Sequence, residues 1–249
     1  MPIVSFPVGR RRFAPSWLMT LLTIALCLAF WKLGNWQWDR GVHRQAEWDA
    51  FARGADAPVP LGTRSLGAFE RFKRIVVGGS WDVAHQFLLD NRSHAGLPGY
   101  EVLTPLHLPD GRVLLVDRGW VAFTGSRARL PDITLEGHQP VSVTGRLDNL
   151  PVGGLALGHA GPAADAVWPK VTSYPTLAEL AVALRHPVEP WMLQLDPAGG
   201  GGYVRDWQPP GLPPLRHFSY AIQWWGFAVT LLVIWGIMSA RREEPQLPP

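Results

Sequence analysis

Two long apolar blocks, one near each end of the chain, constrain what this sequence can fold into more than any other feature. The first runs from Trp17 to Leu33 and the second from Phe218 to Met238. An α-helix rises 1.5 Å per residue, so the blocks would span roughly 25 Å and 31 Å of a hydrocarbon core about 30 Å thick. The sequence therefore predicts two transmembrane helices.

Basic residues flank both blocks on the sides that face the chain termini. Arg10, Arg11 and Arg12 precede the first block, and Arg241 and Arg242 follow the second. Because cytoplasmic flanks retain Lys and Arg, both termini are expected in the cytoplasm. We expect cytoplasmic tails at residues 1–15 and 240–249, transmembrane helices at 16–34 and 217–239, and an external β-rich domain at 35–216, periplasmic if the source is bacterial.

The first block has a competing interpretation as a cleaved signal peptide, since it has a basic start and an apolar core. No clear A-x-A cleavage site follows it, and the helical pattern continues into the next residues. The single cysteine, Cys27, lies inside this block, so we expect no intramolecular disulfide and no CxxC metal site in the external domain. The pI near 9.3 comes partly from the flanking arginines and indicates topology, not nucleic-acid binding.

The region between the blocks begins as a continuation of the first helix, which prolines at 58 and 60 should end. A strand-like pattern follows, with an Asp-Gly hairpin turn at residues 108–112 and one helix at 176–184 that has Thr176 as N-cap and Glu179 in a capping box. The predicted strands are Arg74 to Trp81, Gln86 to Asp90, Tyr100 to Leu108, Val113 to Arg118, Val141 to Leu147, Val167 to Thr172 and Pro190 to Leu195. The predicted fold class is an α+β membrane protein, with two transmembrane helices flanking a mostly antiparallel β domain, a small barrel or sandwich.

The usual catalytic signatures are missing from the sequence, which has no P-loop, no G-x-S-x-G elbow and no H-E-x-x-H. Asp90 and Asp117 each lie at a predicted strand end near an arginine, where turn and salt-bridge roles compete with an acid-base role. A membrane-anchored hydrolase or oxidoreductase would need one of these carboxylates. The sequence favours a protein that is not an enzyme.

His217 opens the second block at the outer interface, where an imidazole is costly without a partner. Tyr220 and Trp224 lie about one and two turns further along the same helix face. A ligand followed by a flat aromatic wall is what a haem edge or a quinone would use. The alternative is an interfacial histidine in an aromatic belt.

Trp36, Gln37 and Arg40 lie on the part of the first helix that would reach a similar depth if the two spans pack together. An arginine there could pair with a haem propionate. The alternative has Trp36 anchoring the interface while Arg40 faces lipid phosphate.

Four motifs make the chain resemble a known family. In order, they are LGNWQWDR after the first block, LLDNR followed by GLPGYEVLTPL, then VLLVDRGWV, and HFSYAIQWWGFA at the second block. The chain is similar in these motifs, over nearly its whole length, to the surfeit locus protein one family, also called Surf or Shy proteins. The resemblance implies an assembly factor of the bacterial inner membrane that acts when haem a is placed in subunit I of cytochrome c oxidase.

The resemblance also implies site residues and partners. Bacterial members are described as haem a binders with a histidine at the head of the second span, and the matching residue, His217, would be the metal ligand. Haem a would then be held by His217, Tyr220, Trp224, Arg40, Trp36 and Gln37, with His43 as a candidate second ligand. The motif glycines, among them Gly34, Gly99 and Gly119, and Trp120 are expected to shape the external domain.

The implied partners are oxidase subunit I, membrane lipid and, as a further candidate, haem a synthase, but no nucleic acid. The alternative function is a protein-only scaffold that stabilises an oxidase assembly intermediate without binding haem.

Overall fold

The computed structural model describes residues 6–8, 11–54, 57–135, 140–152, 158–198 and 203–242. The chain divides into two compact units, a helix unit of Met1–Asp49 with Gly211–Pro249 and a β unit of Ala50–Pro210. The glycine run at 199–202 and parts of both expected cytoplasmic tails lie outside the described residues.

The described helices are α1 (Trp17–Arg53), α2 (Leu177–Leu184) and α3 (Pro214–Ser239). Both α1 and α3 are long and apolar enough to cross a membrane, and only 11% and 6% of their most apolar windows are buried. A helix in the core of a soluble protein would bury such a surface, so the exposure fits a lipid environment. The predicted continuation of the first helix is confirmed, because α1 runs unbroken to Arg53.

The described strands are β1 (Phe6–Val8), β2 (Arg11–Phe13), β3 (Val59–Pro60), β4 (Arg74–Trp81), β5 (Phe87–His94), β6 (Leu97–His107), β7 (Val113–Ala122), β8 (Val141–Asp148), β9 (Lys170–Thr172), β10 (Met192–Leu195) and β11 (Ala240–Arg242). In the helix unit, β2 pairs antiparallel with both β1 and β11. The sequence did not predict this small sheet, because its short, arginine-rich segments carry no apolar alternation.

The β unit is a mostly antiparallel sheet in the order β3-β4-β8-β10-β7-β6-β5-β9. Strand β4 also pairs with β6 through Ser80 opposite His107 and Trp81 opposite Leu106. This pairing closes a ring of five strands, β4, β8, β10, β7 and β6, so the barrel is the correct one of the two predicted arrangements. Closure leaves these strands without a free edge. The parallel pairs are β3 with β4, β7 with β10 and β5 with β9.

The core of the β unit follows from strand alternation, since every second side chain faces inward. One cluster fills the barrel with aliphatic side chains such as Ile75, Leu114 and Leu193. A second cluster packs Leu180 of α2 against Phe87 and its neighbours on the sheet. The predicted capping box of α2 is confirmed, because Thr176 Oγ1 accepts from the Glu179 amide at 3.2 Å and Glu179 Oε2 accepts from the Thr176 amide at 2.8 Å.

Two predicted strands end too early. Strand β5 continues past Asp90 to His94, and β7 continues past Arg118 to Ala122. In β5 the register shifts between Leu89 and Arg92, and Asn91 between them adopts a left-handed φ of 59°. A bulge of this kind carries a strand through polar residues that look like its end. Asp90 and Asp117 therefore lie within strands.

Candidate functional site

The helix unit is held together where small residues of α1 let α3 approach closely. Gly34 and Gly41 are buried and lie seven residues apart. The aromatic residues of α3 that lie over them, Trp225 and Phe218, are also seven residues apart. A Cβ on Gly41 would lie 2.6 Å from Cε1 of Phe218. Small residues serve this purpose in membrane helix pairs. Gly34 therefore shapes the helix pair and not the external domain, contrary to expectation.

One flank of the α1–α3 pair is an aromatic cluster. The ring centroid of Trp38 lies 4.9 Å from that of Phe218 and 5.7 Å from that of Trp225, and Trp31 lies 6.1 Å from Trp225. Aromatic pairs at these distances add to the burial of their surfaces. This flank fixes how the two helices pack.

The opposite flank contains the polar contact between the helices. Nδ1 of His217 on α3 lies 2.9 Å from Oε1 of Gln37 on α1. An amide oxygen only accepts hydrogen bonds, so this contact requires a proton on Nδ1, and in the neutral form of the ring the lone pair is then on Nε2. No residue that the structure describes offers Nε2 a hydrogen bond. The arrangement leaves an oriented imidazole nitrogen that can ligate a metal or accept a proton.

Trp224 lies two turns along α3 from His217 and is held by its neighbours. Its ring stacks on Phe30 of α1 with centroids 5.7 Å apart and planes 29° apart, and it meets Phe227 edge-on at 5.8 Å. Tyr220, between His217 and Trp224 along the helix, is 41% exposed. The flank therefore carries a fixed aromatic surface next to the imidazole.

Arg40 and Trp36 form a pair of their own on α1. The Arg40 guanidinium carbon lies 5.9 Å from the Trp36 ring centroid, at the outer limit of a cation–π contact. The helical repeat places Arg40 about 60° around α1 from Gln37. Among the described residues no hydrogen bond, ion pair or ring contact joins Arg40 or Trp36 to α3.

His43 does not join the site in this structure. It is exposed, and it lies six residues beyond Gln37, which places it about 120° around α1 from that residue. Of the six residues expected to hold haem a, the structure thus brings His217 to Gln37 and Arg40 to Trp36, and it sets Trp224 and Tyr220 beyond His217 on α3.

The β unit also contains a histidine cluster around Asp82 that was not predicted from the sequence. The Asp82 carboxylate lies 2.8 Å from Nδ1 of His85 and 3.4 Å from Nε2 of His107. Burial raises the pKa of Asp82, but hydrogen bonds from both histidines and from the Ala84 amide outweigh it and lower the pKa below its ordinary value. The three-residue spacing of Asp82 and His85 could have indicated their contact. His107 lies on β6, so its approach to Asp82 could not be predicted from spacing. In the part of the chain that the structure describes, no three His, Cys, Asp or Glu residues could together hold a metal ion.

The two carboxylates considered for catalysis have separate surroundings. Asp90 forms its ion pair with Arg127, not with the nearby Arg92. Asp117 is fully buried, and its Oδ1 accepts from the Gly119 amide at 3.0 Å. Burial, and then the charge of Glu101, raise the pKa of Asp117 well above its ordinary value.

Comparison with known proteins places the chain in a family. The sequence profile of the SURF1 family matches residues 24–229. SURF1-like proteins of Mycobacterium bovis and Mycobacterium tuberculosis are each 29% identical to the chain over 253 residues, which cover 94% of this chain and 90% of the relative. A SURF1-like protein of Dictyostelium discoideum is 29% identical over 111 residues, which cover 41% of this chain and 40% of the relative. The family match spans most of the chain, from within α1 to within α3, and the chain therefore belongs to the SURF1 family.

Proposed function

We propose that the protein is a non-enzymatic assembly factor for haem-copper cytochrome c oxidase that assists haem a insertion into subunit I by holding haem a at His217. Membership of the SURF1 family, which is generally linked to cytochrome c oxidase assembly, supports the role in assembly. Support for haem a binding at His217 comes from the contacts between α1 and α3.

The hydrogen bond between His217 and Gln37 is the observation that carries the haem proposal. Metal-ligating histidines commonly donate their other ring N–H to an acceptor that fixes the tautomer and the ring orientation. Gln37 does this at 2.9 Å and leaves Nε2 as the ligating atom. A single imidazole suits a carrier, because an incompletely ligated haem can pass to a site that offers two ligands.

The neighbouring side chains fit the rest of an amphiphilic haem. Trp224, held against Phe30, and Tyr220 offer aromatic surface on the bilayer side of His217. Arg40, one turn from Trp36, supplies a cation suited to a propionate. In this proposal Gln37 orients the ligand, the aromatic residues contact the ring, and Arg40 with Trp36 contacts its polar edge.

In this proposal α1 and α3 lie in a bacterial inner membrane, and both chain termini lie in the cytoplasm. The arginines that flank the two apolar blocks support this orientation. The β unit would then be periplasmic, and the proposed partners are oxidase subunit I and membrane lipid, with haem a synthase as a further candidate.

The test is the visible spectrum of the protein purified from cells that make haem a, with His217→Ala and His159→Ala beside the wild type. His159 is an exposed histidine of the β unit and serves as the matched control. We expect His217→Ala to lose the haem absorbance and His159→Ala to keep it. Unchanged haem content in His217→Ala would refute the ligand assignment. A wild type that copurifies with oxidase subunits but shows no haem absorbance would favour the protein-only scaffold.

A further inference from the structure

The β unit contains a cavity of about 580 Å³ that the proposed haem site does not use. Apolar side chains, among them Trp81, Val141 and Leu195, form part of its wall. Three arginines, Arg74, Arg118 and Arg205, also line it. Its volume is within the range of small-molecule sites, and a mainly apolar wall with a few polar groups is their usual composition.

Arg118 is the buried cation of this cavity. It is only 4% exposed, and its guanidinium donates to Gln86 Oε1 at 2.8 Å, to the Ile133 carbonyl at 3.1 Å and to the Tyr203 hydroxyl at 2.8 Å. A fourth, longer bond reaches Thr104 Oγ1 at 3.4 Å. All four acceptors are neutral, and no carboxylate among the described residues forms an ion pair with Arg118. Because a guanidinium stays charged, this positive charge lacks a counterion among the described residues of the barrel.

The other charges around the cavity do not offset Arg118. Asp196 is the one acidic residue among the described lining residues, and it pairs with Arg74. Nε of Arg205 donates to the backbone carbonyl of Arg118 at 2.6 Å, which brings a second cation close. Burial lowers the pKa of Arg118, and the charge of Arg205 acts in the same direction. The described charges therefore make the cavity electropositive at its polar end.

We propose that this cavity binds an anionic amphiphile, with a carboxylate or phosphate head at Arg118 and an apolar body against Trp81, Val141 and Leu195. An acidic head supplies the missing counterion, and guanidinium bonds to carboxylates and phosphates are among the stronger hydrogen bonds in proteins. The apolar body buries surface that the cavity otherwise leaves to water. The lining of this cavity shares no residue with the proposed haem site, so either proposal can fail without the other.

The test is isothermal titration of the purified full-length protein in detergent, with a titration into empty micelles subtracted. The probes are 2-naphthoate, 1-naphthyl phosphate, the neutral 2-naphthamide and inorganic phosphate. We expect at least one naphthyl anion to bind about tenfold or more tightly than naphthamide. The tighter of the two anions identifies the head group as carboxylate or phosphate. Equal binding of naphthamide would overturn the role of charge, and equal binding of inorganic phosphate would overturn the role of the apolar wall.

Variants locate the site. Arg118→Gln is expected to weaken naphthyl anion binding by about tenfold or more, while Arg127→Gln, a change at an exposed arginine outside the cavity, leaves it unchanged. Arg118→Gln also disturbs four hydrogen bonds of the barrel, so a second variant is needed. Ala198→Trp serves, because the larger side chain at this exposed lining residue narrows the cavity. Near-UV circular dichroism checks the fold of each. Wild-type affinity in both folded variants would overturn the proposal.

Discussion

The indole of Trp225 occupies the space that a side chain on Gly34 would need. A Cβ on Gly34 would lie 2.3 Å from Nε1 and 2.5 Å from Cδ1 of that ring. The ring cannot simply swing aside, because it also contacts Trp31 and Trp38. The absence of a side chain at position 34 therefore sets the distance between α1 and α3.

Gly34→Ala is expected to destabilise the helix pair by about 1–3 kcal/mol, the usual cost of overpacking a well-packed contact. Thermal unfolding in detergent, followed by tryptophan fluorescence, would measure it. Gly236→Ala is the matched control, since a Cβ at that helical glycine meets open space. Equal melting temperatures for the two variants would show that the contact of Trp225 with Gly34 does not stabilise the helix pair.

Local patterns predicted much of the fold. The apolar blocks predicted α1 and α3, the capping box of Thr176 predicted α2, and the Asp-Gly turn predicted the hairpin of β6 and β7. Each of these signals is written in neighbouring residues, because helix periodicity, caps and tight turns depend on short-range geometry.

Long-range pairings were not predictable in this way. Closure of the barrel by β4 and β6 and the parallel pairing of β10 with β7 depend on which strands meet, which the alternation of side chains does not specify. The contact between His217 and Gln37 joins residues 180 positions apart. The sequence suggested both side chains as site residues, but only the helix packing shows which of the six expected residues touch.

Gly99 in β6 is the second glycine whose replacement has a specific expected cost. A Cβ there would lie 2.2 Å from the carbonyl oxygen of Val121, a backbone atom that cannot move without disturbing the β6–β7 ladder, and 2.4 Å from Cε2 of Trp120. Gly99→Ala should therefore destabilise the β unit by about 1–3 kcal/mol in urea unfolding. Gly78→Ala in β4, where the nearest atom would be 3.8 Å away, should change stability far less. A larger loss at Gly78 than at Gly99 would contradict the packing argument.

Gln37→Leu tests whether the amide orients His217 for ligation. Leu removes the acceptor at 2.9 Å from Nδ1, so the ring loses its fixed tautomer. Loss of such a partner usually lowers metal affinity by about tenfold to a hundredfold. Spectroscopic titration of the purified, haem-free protein with haem a would measure the change. Gln45→Leu, at an exposed glutamine of the same helix, is the control and should bind as the wild type does. Equal affinities for both variants would leave Gln37 without an orienting role.

Asp117 should make the β unit less stable as the pH rises. Its pKa is raised by burial first and by Glu101 second, although the Gly119 amide opposes them. A carboxyl with a raised pKa holds its proton in the folded state, so its stabilising contribution is complete below the unfolded pKa of about 3.9 and is lost as the pH rises through the higher folded pKa. The difference amounts to about 1.4 kcal/mol for each unit between the two pKa values.

Asp117→Asn removes this titration and keeps the shape of the side chain. The neighbouring residue in register on β10 is Gln194. Neither its Oε1 nor Oδ2 of Asp117, both buried, has a hydrogen-bond partner among the residues that the structure describes. An asparagine amide could donate to that oxygen. We expect the variant to gain stability relative to the wild type as the pH rises above the unfolded pKa of about 3.9, measured by urea unfolding at a series of pH values. Asp206→Asn, at an exposed aspartate of the same unit, should follow the wild-type profile. If Asp117→Asn also follows that profile, the buried carboxyl does not control the pH dependence, and Glu101 becomes the group to replace next, because burial raises its pKa as well.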